Sequence, residues 1–191
     1  MTTITIFGNG NMGQAIGGVL ANGGASIQYI GSADKSAQLD GDIVVLAVPH
    51  PALAQVVNDY ATQLAGKTVV DITNPLDFTT FDSLVVPADG SAAAELQEKL
   101  PQSHVLKAFN TNFAATLVSG TVGAQKTTVL VAGDDAEAKQ ALVAAVAAGG
   151  LDAVDAGALS RARELEAIGF LQLTLAVSEK VAWNAGFALA R

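Results

Sequence analysis

Short apolar segments and longer mixed segments alternate along the chain from its first residues. Six β-branched, apolar segments predict strands at residues 3–7, 26–30, 42–48, 67–72, 104–109 and 127–132. Helix candidates lie at residues 14–21, 51–63, 91–100 and 135–148. Strands without polar alternation, separated by helices, are typical of a parallel sheet that is covered on both faces. The pattern therefore predicts an α/β fold with a doubly wound, mainly parallel sheet.

Two segments depart from this alternation. Only about ten residues separate the second predicted strand from the third, and a crossover commonly takes a dozen or more. We therefore expect a short turn there instead of a full helix. Residues 160–191 read as one long helix, with leucines and isoleucines at helical spacing. We expect residues 1–191 to form a single domain in which residues 158–191 are a C-terminal helical extension.

Composition and charge exclude several classes of protein. Half of the 191 residues are hydrophobic and 15% are charged, which argues against disorder. The formal net charge of −8 argues against a nucleic-acid partner or an anionic membrane surface. The chain has no cysteine, so disulfides, thiolate zinc sites and cysteine nucleophiles are excluded. No apolar run reaches the roughly 20 residues of a membrane span. We expect a cytoplasmic protein without a membrane segment, a signal peptide or a metal site.

A glycine-rich turn joins the first predicted strand to the first predicted helix. It fits the pattern G-x-G-x-x-G with Gly8, Asn9, Gly10, Asn11, Met12 and Gly13. In this context Gly8 permits the tight turn, Gly10 leaves room for a pyrophosphate, and Gly13 lets the helix pack closely. The helix N-terminus offers free N–H groups to phosphates. The turn predicts a Rossmann-type dinucleotide site, and the plain alternative is an ordinary strand-to-helix turn.

The end of the second predicted strand bears on the choice between NAD and NADP. An NAD site places an acidic residue there to accept from the ribose 2′-hydroxyl. Here Gly31 and Ser32 follow the strand, and the first acid is Asp34. Ser32 and Lys35 can bind a 2′-phosphate, which favours NADP(H), although Lys35 can equally be an ordinary solvated lysine.

Further candidates follow the third, fourth and fifth predicted strands, since ligands of such sheets lie at the carboxyl ends of strands. The cofactor candidates are Ala47, Val48, Pro49 and His50 after the third strand, with Asn74 and Pro75 after the fourth. His50 can bind the cofactor or be a loop histidine, and Asn74 can bind it or serve the turn before a proline. Asn110 and Thr111 are candidates for a polar wall that binds substrate. Lys107 can reach the nicotinamide or lie on the outer side of its strand.

Four segments together resemble the family of deazaflavin-dependent NADP oxidoreductases. They are the glycine turn at 8–13, the Gly31-Ser32 step, residues 107–111 and residues 155–160, which continue as Arg-Ala-Arg-Glu-Leu-Glu. The same order resembles the cytosolic reductase domain of six-transmembrane ferric reductases. The resemblance implies NADP(H) in the cleft and a flavin-type or deazaflavin acceptor against the nicotinamide. The family often has arginine after the serine of the second strand end, where this chain has Ala33.

Hydride transfer between two such rings needs no dedicated acid or base, because the cofactors carry the chemistry. We therefore name no catalytic residue. Two other functions stay open, namely a non-catalytic NADP-binding sensor and a short carbonyl or imine reductase. The apolar residues of the C-terminal segment predict a homodimer that uses this segment. The residues on which this prediction depends are Phe170, Leu173, Trp183 and Phe187.

Overall fold

The structure is a computed structural model, and it describes residues 2–34 and 36–190. Its central element is a seven-stranded sheet. The strands of this sheet are β1 (Thr3–Phe7), β2 (Ser26–Ile30), β3 (Ile43–Leu46), β4 (Thr68–Asp71), β5 (His104–Lys107), β8 (Thr128–Gly133) and β9 (Asp152–Gly157). They lie in the order β2-β1-β3-β4-β5-β8-β9. Two short strands, β6 (Thr121–Val122) and β7 (Gln125–Lys126), form a separate hairpin.

The first five strands are all parallel, and β8 then pairs antiparallel with β5. The last strand, β9, is parallel to β8. The carboxyl ends of β1 to β5 therefore lie at one edge of the sheet, and those of β8 and β9 lie at the opposite edge. This arrangement confirms the predicted mainly parallel, Rossmann-type sheet.

Six α-helices and two 3₁₀ turns complete the described part of the chain. The helices are α1 (Asn11–Asn22), α2 (Leu53–Leu64), α3 (Ala92–Lys99), α4 (Ala114–Ser119), α5 (Ala136–Ala148) and α6 (Ala162–Val177). The 3₁₀ turns are His50–Ala52 and Leu159–Arg161. The described residues between β2 and β3 contain no helix, which confirms the prediction of a short turn there. No helix in residues 2–34 and 36–190 is long and apolar enough to cross a membrane.

The hydrophobic core is divided between the two faces of the sheet. On one face Ile16 of α1 and Leu142 of α5 pack against strand residues such as Ile6. On the other face Tyr60 of α2 and Leu96 of α3 pack in a second cluster. Helices on both faces explain why the central strands are apolar on both sides.

The sequence pattern was wrong about the length of the C-terminal helix. The helix ends at Val177, and Glu179 adopts a left-handed backbone with φ of 59°. Residues 178–190 then form turns and irregular structure. The apolar residues of this segment lie at helical spacing, but Trp183 packs against Phe113 and the backbone of Phe187 bonds to Gln172, so tertiary contacts override the pattern. Arg191 lies outside the described residues.

The pattern also missed β9 and α4. β9 contains two aspartates and is only partly buried at the sheet edge, so its pattern is not that of an apolar strand. α4 has six residues and follows a run of polar side chains, which hides it from periodicity.

Candidate functional site

A cavity of about 610 Å³ lies at the carboxyl ends of β1, β3, β4 and β5. Its volume lies within the roughly 300–1,000 Å³ typical of small-molecule sites. Eight residues predicted from the sequence line it, namely Asn11, Met12, Ala47, Val48, Pro49, His50, Asn74 and Asn110. The fold therefore brings the glycine turn and three strand ends to one place.

The glycines of the turn differ in how much room a side chain would have. Gly8 has φ of 94°, and a Cβ there would lie 2.2 Å from the carbonyl oxygen of Ala47. Gly13 is equally constrained, because its Cβ would lie 2.2 Å from the carbonyl oxygen of Gly8. Gly10 has an ordinary φ of −72°, and a Cβ there would have no neighbour within 4 Å. The protein itself therefore does not require glycine at position 10, and an approaching ligand is a physical reason for it.

The N-terminus of α1 is suited to an anion. Gly10 caps the helix without a side-chain hydrogen bond, and the first turn contains no acidic residue. Asn11 and Met12, the first residues of the helix, line the cavity. The free N–H groups and the helix dipole can therefore act on a phosphate at this end of the cavity.

The turn after β2 is tied down by its own side chains. The Asp34 carboxylate accepts from the Gly31 N–H at 3.0 Å, and the Tyr60 hydroxyl donates to the Asp34 carbonyl. Ser32 and Ala33 are exposed beside this turn and outside the cavity. Lys35 lies outside the described residues, so its predicted role stays a prediction.

His50 begins the 3₁₀ turn after β3 and is half-buried at the cavity. Burial lowers the pKa of its imidazole below the usual value, while Asp71 acts in the opposite direction. The imidazole is therefore neutral at physiological pH. His50 is the only titratable side chain among the described residues that line the cavity.

Asn74 and Asn110 join the ends of β4 and β5 through paired hydrogen bonds. The Asn74 Nδ2 donates to the Asn110 carbonyl, and the Asn110 Nδ2 donates to the Asn74 Oδ1, each at 2.8 Å. The Asn110 amide also donates to the Leu165 carbonyl of α6 at 2.8 Å. Gly169 lies directly against this pair, since a Cβ there would be 2.2 Å from the Asn74 Oδ1. The two amides are thus fixed in orientation by α6.

The backbone before Asn110 is strained. Phe109 is fully buried and has φ of 62°, in the left-handed region that side chains rarely adopt. Such a residue costs of the order of 1–3 kcal/mol, and it persists where the surrounding structure fixes it. This bend turns the chain along the cavity, where Asn112 and Phe113 also reach the lining.

Lys107 occupies neither of the two positions considered for it. Its ammonium lies at 2.7 Å from both the Asp71 and the Glu166 carboxylates and donates to the Thr73 carbonyl at 2.6 Å. The Lys107 and Asp71 side chains are fully buried, and that of Glu166 is 1% exposed. We call these three residues the buried triad. Neither alternative holds, because the Lys107 ammonium is bound inside the protein by two carboxylates and a carbonyl.

Glu166 anchors α6 at the start of α3. Its carboxylate accepts from the Ala92 N–H at 3.0 Å and from the Ala93 N–H at 3.3 Å. Burial raises the pKa of Glu166 above the usual value, and the Asp71 carboxylate adds to this, although Lys107 and the Ala92 N–H oppose it. From the sequence, Glu166 was only the last residue of the Arg-Ala-Arg-Glu-Leu-Glu stretch after residue 160. A charged residue at a core-facing helical position was the available signal.

Several predicted residues lie beside the cavity but not in its lining. Pro75 is buried, and its carbonyl accepts from Val85. Thr111 is also buried, and its carbonyl accepts from the Gln172 amide at 3.2 Å. Gly8, Asn9, Gly10 and Gly13 form the turn next to Asn11. The substrate role given to Thr111 stays a prediction, and its observed contact is with α6.

The lining also contains residues that were not among the predicted cofactor and substrate candidates. They are Ile72, Thr73, Phe78, Phe109, Asn112, Phe113, Ala114, Ala115, Leu173 and Trp183. Asn112 and Phe113 could have been found by extending the search past the fifth strand end. Leu173 and Trp183, which the sequence assigned to a dimer interface, also line this cavity.

Comparison with known proteins places these features in a wider group. A family model described as NADP oxidoreductase, coenzyme F420-dependent, matches residues 25–75. The F420-dependent NADP reductase of Methanocaldococcus jannaschii is 32% identical over 166 residues, which cover 85% of this chain and 74% of the relative. The metalloreductase STEAP3 of Rattus norvegicus is 37% identical over 108 residues, which cover 56% of this chain and 21% of the relative.

A solved structure shares nearly the whole fold. It comes from Arthrobacter sp. FB24 and was proposed to be an F420-dependent NADP reductase. The two chains superimpose with a TM-score of 0.83 and 26% identity. The match covers 98% of this chain and 99% of the other, so it includes the irregular segment after α6.

Proposed function

Because the chain belongs to the family of F420-dependent NADP reductases, we propose that it transfers a hydride between NADP(H) and a deazaflavin acceptor of the F420 type. It is an NADP-dependent oxidoreductase with a Rossmann-type sheet. The observation that carries the proposal is the continuous cavity from the glycine turn to an aromatic wall. This cavity has a phosphate-binding end and an end suited to planar rings.

The residues present fit the nucleotide. The free space at Gly10 and the N-terminus of α1 would hold the diphosphate. The exposed Ser32 beside the end of β2 would meet the adenosine 2′-phosphate. Asn74 and Asn110, at the ends of β4 and β5, would then face the nicotinamide half. NADPH, when bound there, supplies the hydride from C4 of its nicotinamide ring.

The protein contributes to the reaction mainly by positioning the two rings and excluding water, and less by transferring protons. His50 is the one titratable group in the described lining, and its lowered pKa keeps the imidazole neutral at physiological pH. Reduction of a carbonyl would need a proton donor near the oxygen, whereas a deazaflavin accepts the hydride at a ring carbon. The Asn74–Asn110 pair is held by α6, so both amides can orient a ring without reorganising.

The decisive experiment is NADPH oxidation with a panel of acceptors. We expect loss of the near-ultraviolet absorbance of NADPH with F420 and with its side-chain-free deazaflavin, measured without oxygen. FMN and FAD test whether the acceptor range includes flavins. The Gly10→Val variant, which should not bind NADPH, is the control for non-enzymatic reduction.

Two results would contradict the proposal. Tight NADPH binding without oxidation by any acceptor would favour the sensor. Reduction of a ketone or an imine, with every deazaflavin and flavin refused, would favour the carbonyl or imine reductase.

We also propose that the chain forms a homodimer through α6. Leu171 and Val177 of this helix are 51% and 45% exposed, and Phe187 of the following segment is 50% exposed. Large apolar side chains that a protein leaves exposed to water are a reason to expect an interface. Light scattering at micromolar concentration should show twice the mass of the 19.3 kDa chain, and a monomer would refute the proposal.

A further inference from the structure

Two exposed aromatic side chains stand at the cavity on segments without regular structure. Phe78 follows β4 and is 56% exposed, and Trp183 follows α6 and is 53% exposed. Aromatic residues make up only 5% of the chain, and Trp183 is its single tryptophan. Leaving two large rings open to water is unfavourable, so a ligand that covers them is a physical reason for their position.

From this arrangement we infer that Phe78 and Trp183 bind the ring of the electron acceptor. The inference rests on the proposed function and assigns the acceptor-binding surface of the same site. Neither residue belongs to the glycine turn or to the strand ends that face the nucleotide. The assignment also removes Trp183 from the dimer interface in which the sequence pattern had placed it.

Their place in the sheet supports this assignment. A dinucleotide in such a sheet runs from the β2 side, past the glycine turn, towards the strands on the other side of β1. Phe78 comes from the connection after β4, and Trp183 packs on Phe113, which precedes α4 after β5. Both rings are therefore at the nicotinamide end of the cavity. An acceptor must meet the nicotinamide there for hydride transfer to occur.

Both rings are held by contacts within the protein. The Trp183 and Phe113 ring centroids are 5.0 Å apart at 52°, and Phe113 is 8% exposed. The Phe78 ring meets Phe81 edge-on at 5.6 Å. Each ring thus has one supported side and an exposed remainder, so little conformational entropy is lost when a planar ligand stacks on it.

The turns that carry the rings are also fixed. The Asp77 carboxylate accepts from the Thr79 N–H at 2.8 Å and from the Thr80 hydroxyl at 2.9 Å, which closes the turn around Phe78. After α6, the Phe187 N–H donates to the Gln172 Oε1 at 3.1 Å. Gln172 in turn donates to the Thr111 carbonyl, next to Asn110. The Trp183 segment is therefore tied to the same strand end that faces the nicotinamide.

The kinetic test compares Trp183→Ala and Phe78→Ala with matched variants. Leu189→Ala and Val85→Ala remove exposed apolar side chains from the same two segments, outside the cavity lining. We expect each cavity variant to raise the KM for F420 about fivefold to fiftyfold, as loss of one stacking ring does. The KM for NADPH should stay within about twofold, and the control variants should match the natural chain. The same rise with the side-chain-free deazaflavin would show that the ring, and not the side chain, is bound.

A binding test uses Trp183 as its own reporter. Oxidised F420 is titrated into the protein saturated with NADP⁺, so that no reaction takes place. Stacking of F420 on the Trp183 indole should quench the indole fluorescence, and this quenching should saturate as F420 is added. The double variant Trp183→Phe/Leu189→Trp carries the reporter outside the cavity lining, and its fluorescence should be quenched less than that of the natural chain at the same occupancy.

The outcomes separate the two proposals. If the natural chain reduces F420 and both cavity variants do so with an unchanged KM, this inference is wrong and the proposed function stands. If the KM values for NADPH and F420 rise equally, the rings serve the nicotinamide and the inference is again wrong. If the natural chain binds NADPH but neither binds nor reduces a deazaflavin, the proposed function fails and this inference fails with it.

Discussion

The Glu166 Oε1 lies 2.7 Å from the Lys107 Nζ, so an ion pair joins α6 to the end of β5 inside the protein. Asp71 contacts the same ammonium, so two carboxyl groups share one cation. A buried ion pair gives little net stability, because the cost of desolvation offsets the attraction. Its effect here is positional. It fixes the helix that orients Asn110 through the Leu165 carbonyl.

Removing the shared cation should be costly. Lys107→Met leaves Asp71 and Glu166 buried and adjacent without a positive charge. We expect the free energy of unfolding to fall by about 3–5 kcal/mol, the usual effect of breaking a buried pair. Urea unfolding at pH 7 measures it. In the control, Lys126→Met breaks an exposed pair with Asp152 and should cost less than about 1 kcal/mol, so equal losses would contradict the prediction.

The raised pKa of Glu166 has a defined effect on stability against pH. The unfolded carboxyl loses its proton near its ordinary pKa of about 4.3, whereas the folded carboxyl holds the proton to higher pH. Between these two values the folded state binds more protons, so this group's stabilisation is lost as pH rises. Glu166→Gln removes the contribution. We expect the stability of the natural chain relative to the variant to fall between about pH 4.3 and the raised pKa. Urea unfolding from pH 4 to 8 measures the stability of both proteins, and parallel curves of stability against pH would contradict this prediction.

Replacing Gly169 should weaken ligand binding more than it destabilises the helix. An alanine there would bring its Cβ to 2.2 Å from the Asn74 Oδ1 and displace the asparagine pair. We expect Gly169→Ala to weaken NADPH binding at least tenfold, measured by calorimetry. Gly18→Ala in α1 meets nothing within 4 Å and should be neutral or stabilise by up to about 1 kcal/mol, because alanine favours helices. Unchanged affinity in Gly169→Ala would show that the pair does not contact the nucleotide.

Gly10→Val should abolish nucleotide binding and preserve the fold. The free protein has room for the side chain, but the side chain would occupy the space of the diphosphate. Calorimetry should detect no NADPH binding, while thermal unfolding without ligand stays cooperative. Gly13→Val, whose Cβ would meet the Gly8 carbonyl at 2.2 Å, should instead lower the unfolding temperature. NADPH binding by a folded Gly10→Val variant would remove this turn from the site.

Cofactor preference should depend on the residues after β2. We expect tighter binding of NADP(H) than of NAD(H), set mainly by Ser32. Ala33→Arg should widen the preference through a charge-assisted bond to the 2′-phosphate. Ser32→Asp should reverse it by repulsion. Dissociation constants for both cofactors measure the effect, and equal values in the natural chain would refute it.

Local sequence patterns predicted those parts of the site that depend on backbone conformation. The alternation of apolar strands and helices predicts the sheet, and the glycine turn and His50 follow from their places at strand ends. The contributions of α6 were not predictable in this way. The bond from Asn110 to Leu165 joins residues 55 positions apart, and spacing along one helix carries no information about it. Lys107 and Glu166 look like surface charges until both are known to be buried.

The cavity takes Asn11 from the first helix and Trp183 from the last described segment. Since a ribosome adds roughly 5–20 residues per second, the glycine turn leaves the exit tunnel well before Trp183 is made. A growing chain therefore has the turn that we propose to bind the nucleotide before it has a complete cavity. Bound nucleotide can stabilise the finished protein by mass action but gives little help to its early folding. Every strand of the sheet precedes α6, so proteolytic cleavage between α6 and Trp183 would separate Trp183 from the cavity without cutting the sheet.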